Sequence, residues 1–238
     1  MGLPLSKNLF FDLDHTIWDF DANADETLLE LYDLYQLKNF SDHSPQDFLT
    51  IYKRNNDELW DQYRQHKIEK AVLRWKRFTD TFIEMGMQDE DVPQDIWDKY
   101  LDICPTKTKL MPGAIDTLDY LAARYDIHLI TNGFAETQKR KLKHSDLEKY
   151  FKTLTISEEV GVQKPHPDIF TAALKNANSS ATKSRYVGDN MEADVKGGIN
   201  SGWQVFWYNP HKQAAKISQE LMDFYTEINH LQELKEHL

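Results

Sequence analysis

Cysteine is nearly absent from this chain of 238 residues: Cys104 is the only one, which excludes a disulfide framework or a thiolate metal site within one chain. Basic residues are in deficit, with a formal net charge of −11. That balance argues against non-specific binding to a nucleic acid backbone. It also means that an anionic substrate needs local cations or a metal where it binds. No apolar run is long enough to span a bilayer. The start has no basic region followed by an apolar stretch and a cleavage site. A cytoplasmic chain with neither membrane nor nucleic acid polymer as partner is therefore expected. Internal repeats and low-complexity segments are missing too. Two short patterns have little weight. Met1-Gly2-Leu3-Pro4-Leu5-Ser6 matches a myristoylation signal that is often met by accident. Asn178-Ser179-Ser180 matches a glycosylation acceptor, which matters only in a secreted chain.

What is present is a globular composition, 40% hydrophobic and 28% charged, in a length that suits one large domain or two small ones. Five apolar segments bounded by turn signals read as buried strands: Leu9–Leu13, Ile127–Thr131, Leu154–Ile156, Arg185–Gly188 and Val205–Tyr208. Helical spacing over Ala135–Lys143, Pro167–Asn176 and Glu192–Asn200 separates the later ones. This alternation predicts an α/β fold, a Rossmann-like parallel sheet covered on both faces. The charged, periodic stretch from Gln213 reads as a closing helix. Residues 17–107 carry no strand signal. Leu28, Leu31 and Leu34 fall at helical spacing, as do Ala71, Trp75, Phe78 and Phe82. The expectation is a helical bundle inserted between core segments 1–16 and 108–238, with Trp75, Phe78 and Phe82 in its interior.

The first strand raises the chemical question. Residues 8–19 read NLFFDLDHTIWD, an apolar run ending in two carboxylates, Asp12 and Asp14. A calcium loop starting at Asp12 would need Gly and Glu where Ile17 and Asn23 stand. A turn or helix cap would account for the doublet alone. The later strands, however, also end in polar groups: Thr131-Asn132-Gly133, then Lys164 past the third strand, then Gly188-Asp189-Asn190 and Asp194. Each has an ordinary explanation by itself: a turn, a solvated lysine, a helix cap, a first-turn charge. Together they occupy the rim where parallel sheets bind ligands, beyond the carboxyl ends of the strands. The chemistry that suits them is phosphoryl transfer. One carboxylate attacks phosphorus and becomes an aspartyl-phosphate. Asp12 and Asp189 hold Mg²⁺, which prefers oxygen ligands. Lys164 offsets the remaining charge. The Thr131 hydroxyl and the backbone N–H groups of Asn132 and Gly133 bind phosphoryl oxygens. Asp14, two residues on and on the same side of the chain, moves the proton, which requires a raised pKa.

These motifs, DLDHT (12–16), Thr131 in TNG, Lys164 in KPHP and GDNMEAD (188–194), resemble those of the haloacid dehalogenase superfamily. The resemblance implies the family's core with an inserted α-helical cap at 17–107. It implies Asp12 as nucleophile and Asp14 as acid/base, with Thr131 and Lys164 binding the phosphoryl group. It also implies Mg²⁺ on Asp12, the Asp14 backbone carbonyl and Asp189, supported by Asn190 and Asp194. The dehalogenase branch lacks an aspartate at the Asp14 position, so Asp14 points to phosphate esters. FFDLDHTIWDFD, NDELW, ITNGF and ISEEVGVQKPHPDIF are similar to the pyrimidine 5′-nucleotidase branch that also acts on noncanonical nucleotides. His15 sits in a slot where the family varies. A nucleoside monophosphate is then the expected substrate, acted on by a monomer or homodimer. Trp18 and Phe20 are candidates to stack on a base, and Asn56 and Trp60, one turn apart, to share a face turned toward the core. Competing readings are a sugar phosphomutase, a phosphoglycolate-type phosphatase and a non-enzymatic binding module. The last would be expected to have lost Asp12, Asp14 or Lys164.

Overall fold

Strands with near-continuous apolar sequence bury both faces, and this chain uses them to build one parallel sheet. The computed structural model describes residues 8–214 and 219–238, so the myristoylation-like hexapeptide lies outside them. Among the described residues the sheet has six strands: β1 (Asn8–Phe11), β2 (Asp126–Thr131), β3 (Phe151–Ile156), β4 (Ser184–Gly188), β5 (Gln204–Tyr208) and β6 (Tyr225–Ile228). Their order is β3-β2-β1-β4-β5-β6, and every adjacent pair is parallel. The order therefore runs outward in opposite directions from β1 and β4, a topological switch point where open sheets bind ligands. Phe11 pairs with both Leu129 and Val187, which brings Asp12 and Asp189 out at that switch.

The chain separates into two compact units: residues up to Phe20 with Thr108–Leu238, and Asp21–Lys107. Ile17–Phe20 stay with the sheet because the chain leaves and returns side by side. The Asp19 N–H donates to the Lys109 carbonyl, and the Met111 N–H donates to the Ile17 carbonyl. The sheet unit also contains α5 (Ala114–Ala122), α6 (Ala135–His144), α7 (Ser157–Val160), α8 (Pro167–Asn176), α9 (Gly197–Asn200) and α10 (Leu234–His237). Its core stacks Phe10, Ile130, Ile169, Phe170, Tyr186 and Trp203 against one another. The other unit is helical: α1 (Phe20–Leu34, most of it), α2 (Pro45–Arg64), α3 (Lys70–Glu84) and α4 (Ile96–Ile103). Ser44 and Asp47 form a capping box that starts α2. Phe48, Tyr52, Phe78, Phe82 and Tyr100 fill the interior of this unit. No helix among the described residues is long and apolar enough to cross a membrane.

Several expectations need correction. The first strand ends at Phe11, because the Leu13 carbonyl accepts from the N–H groups of Thr16, Ile17 and Trp18 and folds the chain into a tight loop. The third strand starts earlier than its apolar segment, at Phe151. The stretch from Gln213, of which 215–218 lie outside the described residues, holds β6 rather than one closing helix. As an edge strand, β6 is buried fully only at Ile228, so it lacks the apolar signature of the inner strands. Glu192–Asn200 is not a uniform helix: a π-helical turn over Met191–Lys196 precedes α9. Trp75 is 41% exposed, because the buried stripe of α3 runs through Leu73, Arg77, Phe78, Thr81 and Phe82 and leaves Trp75 beside it.

One buried polar row crosses the sheet. His128 on β2 stacks on Phe10 with centroids 4.6 Å apart, and its two ring nitrogens lie 2.8 Å from Thr153 Oγ1 and 3.1 Å from Asn8 Oδ1. Burial lowers its pKa from 6.5, against a smaller opposing effect of Asp126. The unfolded chain then binds a proton at this ring more readily than the folded one. The contribution of His128 to stability is complete above the unfolded value and is lost as pH falls through it toward the lower folded value. Urea melts between about pH 7 and pH 5 should show stability falling, with a shallower fall in His128→Gln. Identical slopes for the two proteins would contradict this assignment.

Candidate active site

At the switch point a lysine organises three elements. Lys164 is 3% exposed, and its Nζ donates to Asp12 Oδ1 at 2.6 Å, Asp194 Oδ1 at 2.7 Å and the Tyr186 hydroxyl at 2.9 Å. Tyr186 in turn donates to Asp194 Oδ1 at 2.8 Å. The backbone of Lys164 is held as firmly as its side chain. Its N–H donates to Asn132 Oδ1 at 2.7 Å, and its carbonyl accepts from Asn132 Nδ2 at 2.9 Å. The Asn132 side chain is thus committed to the Lys164 backbone.

Asp194 comes inward through the π-helical turn. Asn190 caps that turn by accepting from Glu192 N and Ala193 N, and its own N–H donates to Asp194 Oδ2 at 2.9 Å. Both oxygens of Asp194 are therefore engaged, and the group is fully buried. Gly188 makes room for it: a Cβ there would lie 2.5 Å from the Asp194 carboxyl carbon. Asp189 is placed by Thr16, whose hydroxyl donates to its Oδ1 at 3.1 Å, and by Trp207, whose indole N–H donates to its carbonyl at 2.9 Å.

Asp12, Asp189 and Asp194 each bring a carboxylate oxygen within 4.8 Å of the others. Three carboxylates thus face one ammonium. Burial raises the pKa of both Asp12 and Asp189. For Asp12 the Lys164 charge opposes this, while Asp194 and Asp189 add to it; for Asp189 the Asp194 charge adds, with Lys164 opposing. Lys164 is pushed up despite its burial, because Asp12 and Asp194 flank it. Among the described residues, Lys164 donates to one oxygen of Asp12 and Thr16 to one oxygen of Asp189. Acidic oxygens with no His or Cys among them suit a hard divalent cation such as Mg²⁺ rather than a thiolate- or imidazole-seeking metal.

Asp14 does not join that cluster; its carboxylate turns to α6. Lys141 Nζ donates to Oδ1 at 2.6 Å, and Gln138 Nε2 donates to Oδ2 at 2.9 Å. The same Gln138 nitrogen donates to Thr131 Oγ1 at 2.6 Å. This overturns the expected raised pKa of Asp14. Burial does act upward, but the Lys141 charge and the hydrogen bonds from Lys141 and Gln138 outweigh it, and the net shift is downward. Any part of Asp14 in holding a cation falls to its backbone carbonyl.

Of the candidates for base recognition, Trp18 is placed differently from expectation. Trp18 is fully buried, with Lys141 Nζ 4.3 Å from its ring centroid, so it supports the lysine and has no free face for a base. Phe20 is half-buried, 5.3 Å from the same ammonium. In the helical unit, Asn56 is buried and its Oδ1 accepts from the Arg77 guanidinium at 3.2 Å. Trp60 is half-buried and meets Tyr63 edge-on at 5.7 Å. Gln138, Lys141, Tyr186, Trp207 and the role of Thr16 escaped the reading of the sequence. The available signal was the spacing of Gln138 and Lys141, three residues apart on the helix after TNG and so on one face.

A family model described as haloacid dehalogenase-like hydrolase matches residues 7–202. Pyrimidine 5′-nucleotidase PynA of Streptococcus pneumoniae is 34% identical over 207 residues, covering 86% of this chain and 84% of its own. Pyrimidine 5′-nucleotidase YjjG of Escherichia coli is 32% identical over 206 residues, covering 85% and 86%. The crystal structure of the putative hydrolase YfnB of Bacillus subtilis bound to magnesium superposes with a TM-score of 0.84 at 29% identity, over 99% of both chains. The match runs from the first strand past the fourth and takes in every strand-end group described above, and the chain accordingly belongs to the haloacid dehalogenase-like hydrolases.

Proposed function

We propose that this protein is a Mg²⁺-dependent phosphatase that hydrolyses a small phosphate monoester, a pyrimidine nucleoside 5′-monophosphate, through an aspartyl-phosphate on Asp12. The observation that carries this reading is the cluster of Asp12, Asp189 and Asp194, in which carboxylate oxygens of Asp12 and Asp189 lie within 4.8 Å of each other and carboxylates outnumber the ammonium. Those oxygens and the Asp14 backbone carbonyl would hold the ion, with Asp194 and Asn190 fixing their surroundings. Bound there, Mg²⁺ would neutralise the excess negative charge and polarise the phosphoryl oxygens. The magnesium bound in the Bacillus structure supports this choice of ion. The two nucleotidase relatives support the choice of substrate.

The residues divide the work as follows. The Asp12 oxygen that does not hold the ion attacks phosphorus; the new O–P bond forms as the ester P–O bond breaks, and the leaving oxygen takes a proton from Asp14. Water then attacks phosphorus and gives its proton to Asp14. The Asp12–phosphorus bond breaks, and inorganic phosphate leaves with Asp12 regenerated. At rest Asp14 is held ionised by Lys141. As the phosphoryl group arrives its negative charge raises the proton affinity of Asp14, which takes up a proton from solvent to act as the acid and returns one to solvent when phosphate leaves. Because Thr131 Oγ1 accepts from Gln138, its own O–H is free to donate to a phosphoryl oxygen.

Four outcomes are expected. Hydrolysis of p-nitrophenyl phosphate should need Mg²⁺, stop on chelation, and fall by at least about 10³-fold in Asp12→Asn with the fold retained by circular dichroism. Turnover by Asp12→Asn near the parent rate would mean another nucleophile. Lys164→Met leaves two buried carboxylates without their cation, so it should abolish turnover and lower stability by about 3–5 kcal/mol in urea melts. An unchanged urea midpoint would remove Lys164 from its central place. In a panel of monoesters, kcat/KM should be highest for UMP, dUMP and dTMP. A flat profile across purine nucleotides, sugar phosphates and phosphoglycolate would remove the nucleotide assignment and leave the phosphatase assignment standing. Steady phosphate release without a bisphosphate activator should separate it from a phosphomutase.

A further inference from the structure

Glycine 133 has no backbone need for its missing side chain, since its φ lies outside the left-handed region that favours glycine. The need is spatial. A Cβ at Gly133 would sit 2.2 Å from Gln138 Nε2 and 2.4 Å from its amide carbon, far inside contact distance. The glycine of TNG therefore keeps a slot open for the Gln138 amide. That amide is fully buried, and its nitrogen donates both to Asp14 Oδ2 and to Thr131 Oγ1. One helical turn on, Lys141 is 3% exposed and takes the other oxygen of Asp14. Its ammonium is backed by the rings of Trp18 at 4.3 Å and Phe20 at 5.3 Å, which hold it against the carboxylate. Both oxygens of Asp14 and the oxygen of Thr131 are thus fixed from one face of α6.

We propose that Gln138 and Lys141 are positioning residues that lock the Asp14 carboxylate and the Thr131 hydroxyl into one rigid unit, with Gly133 providing the space for the lock. The inference rests on the phosphatase reading and deepens it. Asp14 serves the leaving oxygen, and Thr131 serves the phosphoryl group that departs from it. Their relative placement decides whether the proton reaches the ester oxygen as its bond breaks. A Gln138 amide can span both groups because it presents two N–H donors from one planar nitrogen. Lys141 supplies what Gln138 lacks, a charge that keeps the second oxygen of Asp14 from rotating away.

The consequence is selective by leaving group. An alkoxide leaves poorly and depends on the proton from Asp14, whereas p-nitrophenolate is stable without it. Positioned acid catalysis contributes about 10²–10⁴-fold, and loss of positioning alone should remove part of that. The test is to measure kcat and KM of the parent, Gln138→Leu, Lys141→Met, Lys141→Arg and Gly133→Ala on UMP and on p-nitrophenyl phosphate. Gln138→Leu, Lys141→Met and Gly133→Ala should each lose about 10–100-fold in kcat on UMP and far less on p-nitrophenyl phosphate. Lys141→Arg should recover most of the loss seen in Lys141→Met. Inhibition by inorganic phosphate should weaken in Gln138→Leu, which no longer orients Thr131, more than in Lys141→Met. If Gln138→Leu fails to fold, the Lys141 pair and Gly133→Ala decide the matter. Equal proportional losses on the two esters, or no loss, would overturn the positioning role while the parent's turnover upheld the phosphatase reading. A parent that hydrolyses neither ester would overturn that reading, and the positioning role with it.

Discussion

The ammonium of Lys164 is the interaction on which the rest of this structure depends. It is buried, it bridges Asp12 and Asp194, and it accounts for the otherwise costly presence of two carboxylates inside the sheet unit. Much of the local architecture serves that contact. Asn132 grips the Lys164 backbone from the end of β2. The Tyr186 hydroxyl on β4 accepts a further hydrogen bond from the ammonium. Gly188 clears the space that Asp194 occupies, and the π-helical turn delivers Asp194 to it. Yet one lysine does not balance three carboxylates. On the proposed reading, the deficit of positive charge left at Asp12 and Asp189 is what a divalent cation, and with it an anionic ester, would offset.

The two aspartates of DLD, only two residues apart, live in opposite environments. Asp12 sits among carboxylates, with burial pushing its pKa up. Asp14 has left that cluster for an ammonium and an amide on α6, which together pull its pKa down. Pairs of titratable groups whose surroundings drive them apart are how a site assigns different chemical tasks to identical side chains. The tight loop folded around the Leu13 carbonyl takes Asp14 into the turn and leaves Asp12 at the strand end.

The sheet and its rim were legible in the sequence where burial leaves a plain signature. Inner strands such as FF at 10–11 and LI at 129–130 are continuous apolar runs, and the polar residues that end them could be aligned because parallel strands all end on the same side. Asp12, Lys164, Asp189 and Asp194 do gather there, while Thr131 is joined to Asp14 through Gln138. What escaped was decided by long-range contact. The edge strand Tyr225–Ile228 is half solvated and reads like its charged neighbours. Trp18 looked available to a ligand but is enclosed within the sheet unit. Lys141 was hidden in a basic run, although the carboxylate it reaches lies 127 positions away. The proton affinity of Asp14 was misjudged for the same reason: nearness in sequence suggested carboxylate neighbours, and the fold supplied a lysine instead.

The central claim is that Asp12 becomes phosphorylated during turnover, and chemical trapping tests it most directly. Borohydride added during steady-state hydrolysis reduces an acyl phosphate to an alcohol, which peptide mass spectrometry can locate. The account predicts reduction of Asp12 to homoserine, dependent on both substrate and Mg²⁺. Steady phosphate release with Asp12 unmodified, or with the reduced residue at any other carboxylate, would contradict it.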